Sequence, residues 1–178
     1  MAKRIASGES RKIIYKHIIS RGLILVLLGI LYNNGVRFDL SELRYGSVLG
    51  RIGLAWMFAA LIFMNTKLNA RIIWFSGLLI GYWILMLLFP AHDLGSTDPF
   101  SQKGNFASFV DRHIMPSKLY LGNHDPEGIM STMPAISTAL LGMFTSEFLM
   151  SNYLKDKPLL RVLYMVLTAL AFMIIGKL

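Results

Sequence analysis

The sequence predicts an all-α, polytopic transmembrane helix bundle of about five spans with one long extracytoplasmic loop. Three observations carry that expectation. Of 178 residues, 54% are hydrophobic and only 16% charged, and the mean hydropathy is +0.54. A soluble domain of this size carries more charge. The apolar residues are gathered into five runs of near-spanning length, and most of the bases flank those runs rather than one exposed face.

The predicted spans are 18–32, 45–64, 72–89, 129–150 and 159–176 of a single membrane domain, 1–178. A helix rises about 1.5 Å per residue and needs about 20 residues to cross a hydrocarbon core of roughly 30 Å. The first run is short, but its basic flank extends it back toward Ile13, with Arg21 reaching for headgroups. The third carries no charge at all. No internal repeat and no low-complexity segment is visible.

Lys and Arg set the expected orientation. Lys3, Arg4, Arg11, Lys12, Lys16 and Arg21 gather at the first span. Lys67 and Arg71 lie between the second and third, and Lys155, Lys157 and Arg161 between the fourth and fifth. The positive-inside rule makes that side cytoplasmic. The N-terminus is then inside and the C-terminus outside, in what we expect to be a bacterial inner (plasma) membrane. A net charge of +8 alone would suit nucleic acid, but no nucleic-acid-binding motif accompanies it. The expected partners are membrane lipid and, as below, a saccharide, with a homo-oligomer compatible. With no Cys, disulfides and thiolate chemistry are excluded.

The 90–128 loop is too long for a mere connector. Five acids (Asp93, Asp98, Asp111, Asp125, Glu127) outnumber its three bases (Lys103, Arg112, Lys118), and its aromatics (Phe100, Phe106, Phe109, Tyr120) suit docking on a membrane face or in a cavity. His92, His113 and His124 all lie here, but their spacing matches no metal-ligand motif, so no metal is expected.

Two places put charge where it is costly. Arg51 interrupts the second span, about two turns below its outer end, so it is a functional candidate. Arg44, seven residues earlier, would share its helical face, and two such guanidinium groups suit phosphate or carboxylate. The stretch Asn123-His124-Asp125-Pro126-Glu127-Gly128 opens the fourth span. Asp125 is a good cap, Pro126 suits the first helical position, and Glu127 would face the positive helix end. Pro134 lies beyond that first turn and should kink the helix, with Ser137 and Thr138 satisfying freed carbonyls or a neighbouring helix. Ala139, Gly142 and Ser146 form a small-residue stripe suited to helix packing.

These blocks resemble the heparan-α-glucosaminide N-acetyltransferase family of membrane acyltransferases and its bacterial relatives. Asp125-Pro126-Glu127-Gly128, continued by Ile129-Met130-Ser131-Thr132-Met133-Pro134-Ala135-Ile136, is the most specific part. Lys12 to Asn33, Arg44 to Gly53 and Gly104 to Asp111 resemble further family blocks, in the family's order. The resemblance implies part of a membrane acetyltransferase moving acetyl from cytoplasmic acetyl-CoA to an amino sugar across the membrane. Acetyl-CoA would be the donor and a saccharide the acceptor.

The family's histidine lies on a loop between its first two spans, to which nothing here corresponds. The chain is therefore expected to be an internal piece, inactive alone. The catalytic base is unknown, with Asp125 and Glu127 as candidates. Arg44, Arg51, Asn123 and His124 are candidate substrate- or cofactor-binding residues. A secondary transporter would share the intramembrane Arg and the polar helix, but it predicts inverted repeats that are not visible. A non-catalytic membrane interaction protein is the plainer alternative.

Overall fold

The computed structural model describes residues 8–35, 43–96, 98–115 and 119–176. Lys3, Arg4 and Lys118 lie outside them. The described residues form six helices and no strand: α1 Arg11–Asn34, α2 Val48–Asn65, α3 Leu68–Leu88, α4 Phe106–Ile114, α5 Thr132–Met150 and α6 Pro158–Ile175. All except α4 are long and apolar enough to cross a membrane. Neither α3 nor α6 buries a residue, and exposed Leu, Ile and aromatic side chains cover both. Such surfaces suit hydrocarbon, in which a helix satisfies its own backbone polar groups. The chain has the architecture of an integral membrane protein.

The chain divides into two compact units, 1–140 and 141–178. In the first, α1 and α2 pack through glycines. A Cβ on Gly22 would lie 2.8 Å from Cβ of Met57. One on Gly53 would lie 2.7 Å from Cβ of Leu25 and 2.8 Å from the Gly22 carbonyl oxygen. Without side chains at these positions the two backbones approach closely, as is favoured where no hydrophobic effect drives helices together. Gly142, by contrast, is exposed, and a Cβ there would meet nothing within 4 Å.

The link between α2 and α3 is short. Arg71 donates from Nε to the Thr66 carbonyl at 2.9 Å and from Nη2 to the Phe63 carbonyl at 2.9 Å, so a basic residue satisfies free carbonyls at the α2 end. Arg161 does the same in the second unit. It donates to the carbonyls of Leu149, Ser151 and Tyr153 and ties down the turn before α6.

Span boundaries differ from the predicted ones for identifiable reasons. The first helix continues back to Arg11 because its basic flank is itself helical. The second starts at Val48 because Ser47 is extended and its Oγ accepts the Gly50 N–H at 2.9 Å, an N-cap. Arg51 is therefore in the first turn, not two turns deep, and Arg44 precedes the helix instead of sharing its face.

The helix expected from Pro126 begins at Thr132. Asp125 to Gly128 is instead a turn, in which Gly128 N–H donates to the Asp125 carbonyl at 3.1 Å. Pro134 consequently falls in the first turn of α5, where its missing N–H breaks no helical bond. Ser137 donates to the Phe75 carbonyl of α3 at 3.0 Å, and Thr138 donates back to that of Pro134 at 3.1 Å.

The long loop contains α4, a nine-residue helix too short to show as a span-length apolar run. Asn105 caps it, accepting the Ser108 N–H at 2.6 Å, and Ala107, Ser108 and Asp111 form its buried face. Phe106 bridges Phe89 and Phe109, with ring centroids 5.7 and 6.4 Å away.

Candidate functional site

The site is built around the Asp125–Gly128 turn, approached by three segments of the first unit. The end of α1 supplies Asn33 and Asn34. Asn33 donates to the Gly46 carbonyl at 2.6 Å, and Asn34 exchanges hydrogen bonds with the Arg44 backbone at 2.7 and 3.0 Å. These bonds tie the 44–47 segment to the end of α1 and aim Arg44 at the turn.

Arg44 then forms a fork. Its Nε donates to Oδ2 of Asp125 at 3.1 Å, and its Nη2 to Oδ1 of Asp125 at 2.9 Å and to Oε2 of Glu127 at 2.6 Å. Asp125 is 1% exposed, while Arg44 and Glu127 retain 21% and 19% of their side-chain exposure. The Arg44 guanidinium also lies 4.4 Å from the Tyr120 ring centroid, a cation–π contact. Backbone N–H groups of Glu127 and Tyr120 donate to Asp125 at 3.0 and 3.3 Å. Burial pushes the Asp125 carboxyl up, but Arg44 and the Glu127 N–H outweigh it and hold it below the usual carboxylate range. Arg44 is raised above its ordinary value, chiefly by its hydrogen bond to Asp125. Gly46 is required here, since a Cβ would lie 2.7 Å from Oδ2 of Asp125.

The other side of the turn rests on α4. Asp111 is buried, and its Oδ1 accepts the Ile129 N–H at 2.9 Å. Burial pushes its carboxyl up, against the N–H groups of Ile129 and Met130. Gly128 packs directly on this carboxyl, and a Cβ would collide with it. Arg112 pairs with Asp93 at 3.0 and 2.8 Å and donates to the Asn123 carbonyl at 2.7 Å.

Of the residues singled out from the sequence, Arg44, Arg51, Asp125 and Glu127 converge. Arg51 reaches the turn from α2, donating from Nη1 to the Pro126 carbonyl at 3.3 Å. Asn123 and His124 belong to the scaffold side. Asn123 offers its carbonyl to Arg112, and His124 Nδ1 is 2.6 Å from Oγ of the fully buried Ser108. His113 Nδ1 lies 2.8 Å from the Phe109 carbonyl. Among the described residues no three His, Asp or Glu side chains are grouped to hold a metal ion.

Three cavities, of about 380, 250 and 450 Å³, meet Glu127, and Arg51 lines the second and third. Among the described residues Glu127 Oε1 accepts no hydrogen bond, and Nε and Nη2 of Arg51 donate none. Glu127 and Arg51 thus both line the 450 Å³ cavity with hydrogen-bonding capacity to spare, beside the fork in which Arg44 holds Asp125 and Glu127. A bound molecule offering an N–H and an oxyanion or hydroxyl would satisfy both. Comparisons with protein-family models, with curated proteins and with solved structures find no match to the chain.

Proposed function

We propose that the Asp125–Gly128 turn is the acceptor-binding end of a membrane acetyltransferase that moves acetyl from acetyl-CoA to an amino sugar. The reaction class comes from the sequence resemblance. The observation that carries the site assignment is the free Oε1 of Glu127 beside the partly unpaired guanidinium of Arg51 in one 450 Å³ cavity. Glu127 receives the amine, Arg51 binds acceptor oxygens, and Arg44 with Asp125 positions Glu127. On the charge distribution this end faces away from the cytoplasm.

In the transfer, the amine nitrogen bonds to the acetyl carbonyl carbon and the carbon–sulfur bond of acetyl-CoA breaks. The CoA sulfur leaves as thiolate, and the nitrogen loses a proton to a base. Glu127 holds the amine by its N–H groups during attack. The family-like histidine, if joined to this segment, would supply the base.

The test is acetyl transfer from labelled acetyl-CoA to glucosamine, in membranes carrying this segment within a protein that also supplies the family's loop histidine. Arg51→Ala and Glu127→Gln should each lower the rate about tenfold or more with insertion unchanged. Near-normal rates in both would remove these residues from the site.

A further inference from the structure

We infer that the amino-sugar acceptor is presented on a membrane lipid, as an amphiphile whose head carries both a phosphate and a primary ammonium. This rests on the reading that Arg51 and Glu127 hold the acceptor, and it adds what the rest of their cavity is for. The charged groups of that cavity, Arg51 and Glu127, lie at one end only. Arg51 is in the first turn of α2, whereas Trp56 lies five residues further along, a rise of about 7.5 Å at 1.5 Å per residue. The walls beyond Arg51 are Ile52, Ala55, Trp56, Ala135, Thr138 and Ala139, apolar except for the Thr138 hydroxyl, which donates to the Pro134 carbonyl of its own helix. Val48 and Ile52 are exposed, so the cavity opens on the outer surface of the spans and not into an enclosed interior.

Charge at the span end with apolar wall deeper along the same helices is the polarity order of a lipid, head at the boundary and chain inside. The two charged groups refine the head. The free donors of Arg51 match a phosphate oxygen in forked geometry. Glu127 Oε1 matches an ammonium that has N–H to give, which a quaternary ammonium lacks. A soluble phosphoamine has the same head chemistry but nothing to fill the wall from Ile52 to Ala139.

The chain has three Trp, and Trp74 and Trp83 lie on α3. A Trp74→Phe, Trp83→Phe background leaves Trp56 as the reporter in nanodiscs. Phosphatidylethanolamine with brominated chains should quench Trp56 severalfold more than brominated phosphatidylcholine at equal mole fraction. Glu127→Gln should bring that ratio to one, and Arg51→Ala should lower quenching by both lipids. Ala139→Phe, which fills the apolar end without touching the ion pairs, should abolish the selectivity too.

Equal quenching by the two lipids in the otherwise unsubstituted chain would overturn the inference. So would displacement by soluble phosphoethanolamine with no difference between the lipids, which assigns the site to a free phosphoamine. The assay contains no acetyl-CoA, so its failure and that of the acetyltransferase reading are separable. Transfer to free glucosamine without lipid selectivity would sink only the lipid inference. Selectivity without transfer would sink only the enzyme.

Discussion

Arg44 holds both carboxylate oxygens of Asp125, at 3.1 and 2.9 Å, although the two residues are eighty-one positions apart. Removing Arg44 strands an ionised group that is 1% exposed. Breaking a buried pair from one side commonly costs about 3–5 kcal/mol. Arg44→Ala should therefore destabilise strongly in detergent unfolding titrations, while Arg44→Ala with Asp125→Asn should lose less than the two single losses added. Strict additivity would mean that the pair contributes nothing jointly.

The same carboxylate sets an acid limb of stability. Asp125 sits below its ordinary range in the folded chain, so the unfolded chain takes up that proton first on acidification. Its contribution is complete above the unfolded pKa and is lost as pH falls through the folded one. Asp111 has the opposite sign. Burial raises it, so its contribution declines as pH rises from the unfolded to the folded pKa. In stability measured against pH, Asp125→Asn should flatten the acid loss, and Asp111→Asn should remove a decline just above the usual carboxylate range.

Gly128 has no room for a side chain because Asp111 lies against it. Gly128→Ala should cost about 1–3 kcal/mol, the usual range for overpacking. Shortening the obstacle should compensate, so Asp111→Ala combined with Gly128→Ala should be more stable than additivity predicts. A neutral Gly128→Ala would show that the turn moves away freely.

The native chain has no Cys, so single cysteines are clean topology probes. Positions 101 and 67 should label with impermeant reagents from opposite sides, with Ser101→Cys reactive from outside. Labelling of both from one side would end the five-span arrangement.

The five long helices were legible because apolar run length speaks for itself. The boundaries were less so, because they are set by particular side chains. Ser47 stops α2 at Val48, and the Asp125 side chain spends its capping ability on a turn before α5. Arg44, Arg51, Asp125 and Glu127 stood out as costly charges, and they do meet at one turn. Their meeting depends on contacts that no local pattern announces: Asn33 and Asn34 steering 44–47, and Asp111 seating Ile129. Asn105, a capping residue ahead of an apolar-polar run, was the available sign of α4.

Asn34 bonds the Arg44 backbone from both polar ends of its side chain, and the Arg44 side chain carries that grip on to Asp125. The last turn of α1 and the 125–128 turn therefore share a single go-between. Fraying of the helix end would withdraw the guanidinium and leave a buried anion behind, so neither piece opens cheaply without the other. Their amides near 31–35 and 127–129 should exchange with one rhythm, and a ligand seated on Glu127 would slow both at once.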